Sequence, residues 1–282
     1  MPATQQQTIR FGHSPDPDDA FMFYAFAKNK IPMDGFQVDH VIEDIESLNQ
    51  RALKAELEVT AVSCHAYAYL ADKYAVMRSG GSIGDKYGPI VVAPKGTFPG
   101  QPLRGKRIAI PGKLTTAFLV LQLYEKNIVP VFVPFDQIFD AVREGKADMG
   151  LIIHEGQLTY KDEGFEKRVD LGEWWHQTTG LPLPLGVDII RRDLGADIMQ
   201  RFARLFKKSI QYSLDNRAPA LEYAIQYGRG LAEDLNDQFV GMYVNDATVD
   251  MGDKGLRGFQ TLLDQGYEQR LIPHRIKIDL VG

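Results

Sequence analysis

Short β-branched runs alternate with helical stretches from the start of the chain to about residue 190, a pattern that predicts an α/β fold of open, mostly parallel sheets covered by helices. Residues 9–12 read as a first strand, about 19–29 as a helix and 36–42 as a second strand. Asp44, followed three residues on by Ser47, opens a helix through Lys54 with Asp44 as the expected N-cap. Residues 59–62 and 74–78 read as further strands. A second series begins near Gly88: strands over 89–93 and 107–110, a buried helix over 115–125, a strand over 129–133, a helix over 135–144 and a strand over 149–153. The prolines of Leu181-Pro182-Leu183-Pro184-Leu185-Gly186 favour extended backbone. Beyond Asp193 the pattern turns helical, over 194–216, 218–227, 233–243 and 253–265.

Two apolar extended runs, 88–93 and 183–190, flank the middle series. Read as crossover strands, they make 90–187 an inserted lobe and leave 1–89 and 188–282 to form the other together. A double crossover is a hinge, and a ligand would sit in the cleft between the lobes. Two consecutive domains split near residue 180 fit the same pattern.

Composition narrows the function classes. The 282 residues suit two domains of ordinary size. A net charge of −5 argues against a nucleic-acid partner, which needs a basic face. No apolar run approaches the roughly 20 residues of a membrane span, and residues 1–7 lack the basic start and apolar core of an export signal. Cys64 is the single cysteine and has no partner for an internal disulfide. The expected setting is the cytoplasm and the expected partner a small anionic molecule; nothing in the pattern addresses oligomeric state.

Four clusters carry candidate chemistry. Ser14-Pro15-Asp16-Pro17-Asp18-Asp19 lies between the first strand and first helix, where strand-end loops line crevices and a helix N-terminus offers N–H groups to an anion. Ser14 and Asp18 are candidate contacts, although Asp18 or Asp19 reads equally well as a helix cap. The loop lacks the glycine and later glutamate of a calcium loop, and no metal is expected. In Ser63-Cys64-His65 the serine hydroxyl suits a carboxylate. Cys64 and His65, adjacent at a helix start, point apart, and Cys64 reads as a small buried hydrophobe. Pro111-Gly112-Lys113-Leu114-Thr115-Thr116-Ala117 joins a strand end to a helix start and reads as a carboxylate cradle with Lys113 supplying charge. Thr115 fits an N-cap as well. The strand over 149–153 ends on His154, whose imidazole titrates near pH ~6.5 when unperturbed and suits proton transfer; an ordinary hydrogen-bonded histidine fits the same place.

These clusters, in this order, resemble the 1,4-dihydroxy-6-naphthoate synthase family of the futalosine route to menaquinone. The resemblance rests on Ser14-Pro15 with Pro17 and Asp19-Ala20-Phe21, Ser47-Leu48-Asn49, Ser63 with Ala66-Tyr67-Ala68, and Arg78-Ser79-Gly80-Gly81. It continues through Gly88-Pro89, Pro111-Gly112 with Thr115-Thr116-Ala117, the strand ending His154-Glu155, and Thr179 to Gly186. It implies a two-lobed type II periplasmic-binding-protein-like fold, hinged by two crossover strands and used as a cytoplasmic lyase. Family members convert cyclic dehypoxanthinyl futalosine to 1,4-dihydroxy-6-naphthoate, releasing a three-carbon fragment without metal or organic cofactor. His154 matches the proton acceptor; Ala61, Val62, Ser63, Thr116 and Ala117 match substrate contacts. The chain departs from the family at Asp16 and Asp18, where Cys and Asn are usual, and at Ala20, Ala61 and His65. The cleft is expected to be more negative for it, with Lys113 or a protonated aspartate as compensation. Two readings keep the fold but differ in function: a cytoplasmic solute-binding protein for a small carboxylate, and the sister chorismate dehydratase.

Overall fold

The structure, a computed structural model, describes residues 6–228 and 230–282. Its first series runs β1 (Gln7–His13), α1 (Pro17–Ala27), β2 (Phe36–Ile42), α2 (Ile45–Leu53), β3 (Val59–Ser63), α3 (Cys64–Tyr67), β4 (Tyr74–Met77) and β5 (Ser82–Gly84). The second runs β6 (Ile90–Pro94), β7 (Arg107–Ile110), α4 (Thr116–Tyr124), β8 (Val129–Phe132), α5 (Ile138–Arg143), β9 (Met149–Ile152), α6 (Gly156–Thr159), β10 (Phe165–Asp170) and α7 (Leu171–Thr179). The chain then returns through β11 (Leu183–Arg191), α8 (Ala196–Asp215), α9 (Arg217–Ile225), α10 (Glu233–Tyr243), α11 (Asp246–Val249), α12 (Gly252–Glu268) and β12 (Leu280–Val281).

Strand pairing makes two sheets. One has the order β12-β4-β11-β3-β1-β2, with β5 also on β11; the other has the order β10-β6-β9-β7-β8. Both apolar flanking runs are strands, and each pairs in one sheet only, so the chain passes between sheets at 85–89 and 180–182. We take sheet membership as the lobe boundary. It places the return before Leu183 instead of at 187, because β11 pairs in the first sheet from its first residue.

The sheets are mixed, not mostly parallel: β11 is antiparallel to β3, β4 and β5, and β6 is antiparallel to β9 and β10. The cause is the double passage. β1, β3, β7 and β9 run toward the cleft and end there, whereas β6 and β11 begin beside it, with Pro89 and Leu185 on its wall, and run away.

Burial follows periodicity. α8 turns Phe202, Leu205, Phe206, Ser209 and Ile210 inward at helical spacing. α1 is apolar around most of its circumference and is covered by α8, α9 and α10. There Phe11 meets Phe23 edge-on at 4.5 Å and Phe206 at 4.9 Å, and Phe23 stacks on His13 at 4.2 Å. This aromatic cluster therefore grips the backbone that leads into Ser14. Phe206→Ala is expected to cost about 3–5 kcal/mol of stability, read as a lower denaturant midpoint at unchanged slope. A separate core crosses between the sheets, joining Val62, Tyr67 and Val187 to Ile108, Leu121 and Leu151 through α4 and α12.

Candidate active site

Pro17 at the first helical position starts α1 two residues earlier than the alternation indicates. Asp16 becomes the N-cap residue without a side-chain cap bond, and Asp18 and Asp19 fall inside the first turn, where neither caps the helix. Released from capping, the three carboxyls turn to the cleft, which Ser14, Asp16, Asp18 and Asp19 all line. Ser14 Oγ donates to Asp16 Oδ2 at 2.7 Å, and Ser14 N donates to Asp19 Oδ2 at 2.6 Å.

His154 follows β9 at φ +56°, a left-handed backbone that turns the chain sharply into α6. The turn lays its ring edge-on to Phe135 at 4.9 Å and brings Nδ1 to 2.8 Å from Asp16 Oδ2. The side chain is 17% exposed and lines the cleft, with Asp16 almost wholly covered. Burial works against a charge on the imidazole, but the Asp16 carboxylate outweighs it and pushes the pKa up to about 9. At neutral pH the two side chains therefore form an ion pair.

The opposite wall supplies donors. Alternation along β3 turns Ala61 and Ser63 to the cleft and Val62 into the core, where it is fully buried; Val62 offers no side chain to a ligand. Asn49, itself fully buried, clamps Ser63 from both sides, donating to Oγ at 3.1 Å and accepting from its N–H at 2.9 Å. The clamp leaves the Ser63 hydroxyl proton available. Thr115 is the N-cap of α4: its hydroxyl accepts from Phe118 N and donates to Gly112 O, so its side chain is already occupied. Thr116 Oγ1 donates to Leu185 O at 2.6 Å and accepts from His65 N, tying α4 to β11 and α3. What α4 presents to the cleft is its first-turn backbone, with Thr116 and Ala117 at the wall.

Lys113 is exposed and takes no part in the wall, and among the described residues no lysine or arginine lines the cleft. At a strand-end turn a long side chain can escape to water, where its charge is better solvated. Compensation comes instead from protons. Burial and the neighbouring Asp19 and Asp16 hold Asp18 well above the usual carboxylate range, and burial pushes Asp19 up to about 6. Asp188, on β11 opposite Ala61, is likewise raised, by burial and then Asp19. Its carboxyl lies against Gly80, where an added Cβ would come within 2.0 Å of Oδ2 and φ is +92°. Cys64 is buried, its thiol pushed up by that burial, and it plays no nucleophilic part. His65 is held down to about 4 by burial and stays neutral.

Several wall residues come from elements that the four clusters do not contain. Tyr243 of α10 donates to Gln157 Oε1 of α6 at 2.9 Å, bridging the lobes, and Phe239 lies beside it. Glu46 of α2 accepts from Leu114 N across the same cleft. Among the described residues no set of three or more His, Cys, Asp or Glu side chains is placed to hold a metal ion.

A family model for menaquinone biosynthesis matches residues 9–268. The chain belongs to this family. Within it, a 1,4-dihydroxy-6-naphtoate synthase from Thermus thermophilus is 40% identical over 256 residues, 91% of this chain and 93% of the relative. One of the same name from Streptomyces coelicolor is 35% identical, covering 94% of this chain and 95% of the relative. A crystal structure of an Archaeoglobus fulgidus protein superposes with a TM-score of 0.90 at 45% identity, over 96% of this chain and all of the other. The alkanesulfonate-binding protein of Xanthomonas axonopodis pv. citri reaches a TM-score of 0.68 at 16% identity, with 95% of each chain covered. That likeness speaks to fold alone: the family member is an enzyme built on a periplasmic-binding-protein-like fold. No helix among the described residues is long and apolar enough to cross a membrane.

Proposed function

We propose that this family member is a cytoplasmic 1,4-dihydroxy-6-naphthoate synthase, a carbon–carbon lyase acting on cyclic dehypoxanthinyl futalosine with His154 as the base. The observation that carries the reading is the His154–Asp16 pair, 2.8 Å apart in a cleft that Ser63 and the α4 N-terminal residues Thr116 and Ala117 also line. Asp16 holds Nδ1–H, which leaves Nε2 as the nitrogen that accepts a proton. The substrate's carboxylate suits the donors at Ser63, Thr116 and Ala117, with Ala61 leaving room beside them; Thr115 serves through the cap that orders those donors. Ser14 and Asp18 face the other side of the bound molecule.

In the reaction His154 takes a proton from carbon, and the freed pair becomes a ring double bond. The sugar-derived fragment departs with the bonding pair of the broken carbon–carbon bond and takes up a proton in its turn, so that the step balances, and aromaticity favours the outcome. Positioned base catalysis supplies about 10²–10⁴-fold, and orientation between closed lobes must supply the rest. Because the imidazole is charged at neutral pH, the base form grows as pH rises toward about 9.

The test incubates the purified protein with cyclic dehypoxanthinyl futalosine and, separately, with chorismate, and follows both by mass spectrometry. Release of 1,4-dihydroxy-6-naphthoate from the first is the expected result. Conversion of chorismate alone would assign the sister dehydratase, and tight binding without conversion of either would assign a solute receptor.

A further inference from the structure

The carboxyls of the first loop are not equally occupied. Asp16 Oδ2 accepts from Ser14 Oγ and stands against His154 Nδ1, and Asp19 Oδ2 accepts from Ser14 N. Asp18 also lines the cleft and is only 8% exposed, yet its Oδ1 is buried with no hydrogen-bond partner. The carboxyl accepts a backbone hydrogen bond from Asp19, but an ionised carboxylate is still poorly served, because burial penalises the charge and nothing donates to Oδ1. A neutral carboxylic acid fits instead: it needs an acceptor, which an incoming ligand can bring.

The groups around Asp18 point the same way. Asp16 and Asp19 repel a charge on it from its own element, and His154, from the β9–α6 turn, offsets only part of that repulsion. From α10, Tyr243 faces it as a phenol that burial keeps neutral, and among the described residues no lysine or arginine lines this wall. His154 is committed to Asp16 at 2.8 Å.

We infer that Asp18 is a specificity residue that meets an acceptor oxygen of the bound anion as a neutral carboxylic acid at the cleft wall. The inference rests on the reading of this cleft as the substrate site. It gives the cleft a way to take an anion despite its crowd of aspartates, since the proton that silences the repulsion also makes the contact. A carboxylate or carbonyl oxygen is the chemistry it recognises, and a cationic group would be poorly held.

The experiment compares wild type, Asp18→Asn and Asp18→Ala. Wild-type turnover of cyclic dehypoxanthinyl futalosine examines the reaction by itself. KM against pH examines Asp18. In the wild type KM is expected to rise at least about tenfold on the alkaline side as the acid ionises, the worth of one buried hydrogen bond. Asp18→Asn, whose amide donates at every pH, lacks that rise, and its neutral-pH KM lies below that of Asp18→Ala. Because Asp18 also raises the His154 imidazole, an NMR titration of that ring in each of the three proteins separates its contribution from that of Asp18. Infrared difference spectra of wild type against Asp18→Asn, which need no substrate, are expected to show a protonated-carboxyl band at neutral pH. Superimposable KM profiles, or no such band, would overturn the inference while leaving the reaction intact. Absent turnover with the band present would overturn the reaction instead, and the KM comparison is then made with chorismate.

Discussion

Replacing His154 by asparagine lowers kcat by at least about 100-fold while the substrate still binds, the expected loss for a positioned base. Asparagine is the right replacement for a backbone reason. His154 sits at φ +56°, and asparagine adopts the left-handed region more readily than other non-glycine residues, so the turn into α6 survives the change. Alanine would confound lost chemistry with a strained turn. Because the Ser63 hydroxyl and the α4 N-terminus lie on the opposite wall, KM should move by less than kcat. Steady-state kinetics separates the two quantities, and wild-type kcat in the variant would remove His154 from the mechanism.

Asp16→Asn shifts the pH profile. In the wild type, kcat is expected to rise with pH through a midpoint near 9, the value to which Asp16 lifts the imidazole against its burial. Without the Asp16 carboxylate burial is opposed only by Glu155 and Asp18, and the rising limb should fall from about 9 toward the unperturbed histidine range at ~6.5. The plateau should drop at least about tenfold, because a less basic imidazole is a weaker acceptor and an amide no longer secures the Nδ1–H tautomer. A rate profile across the range reads both effects, and an NMR titration of His154 reads the first without substrate. Stability carries the same signature with a definite sign. A histidine raised from its ordinary value to about 9 on folding adds stability that is fully present below pH ~6.5 and is lost as pH rises through about 9. Thermal melts of Asp16→Asn should lack that alkaline decline. An unchanged limb would mean that the 2.8 Å contact does not set the base.

The clusters around Ser14, Ser63, Thr115 and His154 were all legible as strand ends followed by turns, and they meet in one cleft because strands of each sheet end on it. Apolar periodicity likewise marked α10 residue for residue, and Asp44 and Thr115 cap α2 and α4 as their positions foretell. Other elements hid in mixed composition. β10, Phe165–Asp170, is two-thirds charged and pairs at a sheet edge, and α7 was obscured by the adjacent tryptophans, although Asp170 before it and Gly180 at φ +69° after it are a legible cap pair.

What the amino-acid order determined alone is local: strand and helix type, the caps, and a histidine and four small-residue turns at strand ends. Those follow from backbone preference and periodicity within a few residues. Only the tertiary structure decided that Asp16, some 138 positions away, is the partner of His154, that Asn49 clamps Ser63, that Lys113 leaves the cleft, and that Asp18 carries a bare oxygen. Such pairings, and the proton affinities they set, depend on burial and on charges at distances of a few ångströms, and both are properties of the closed lobes.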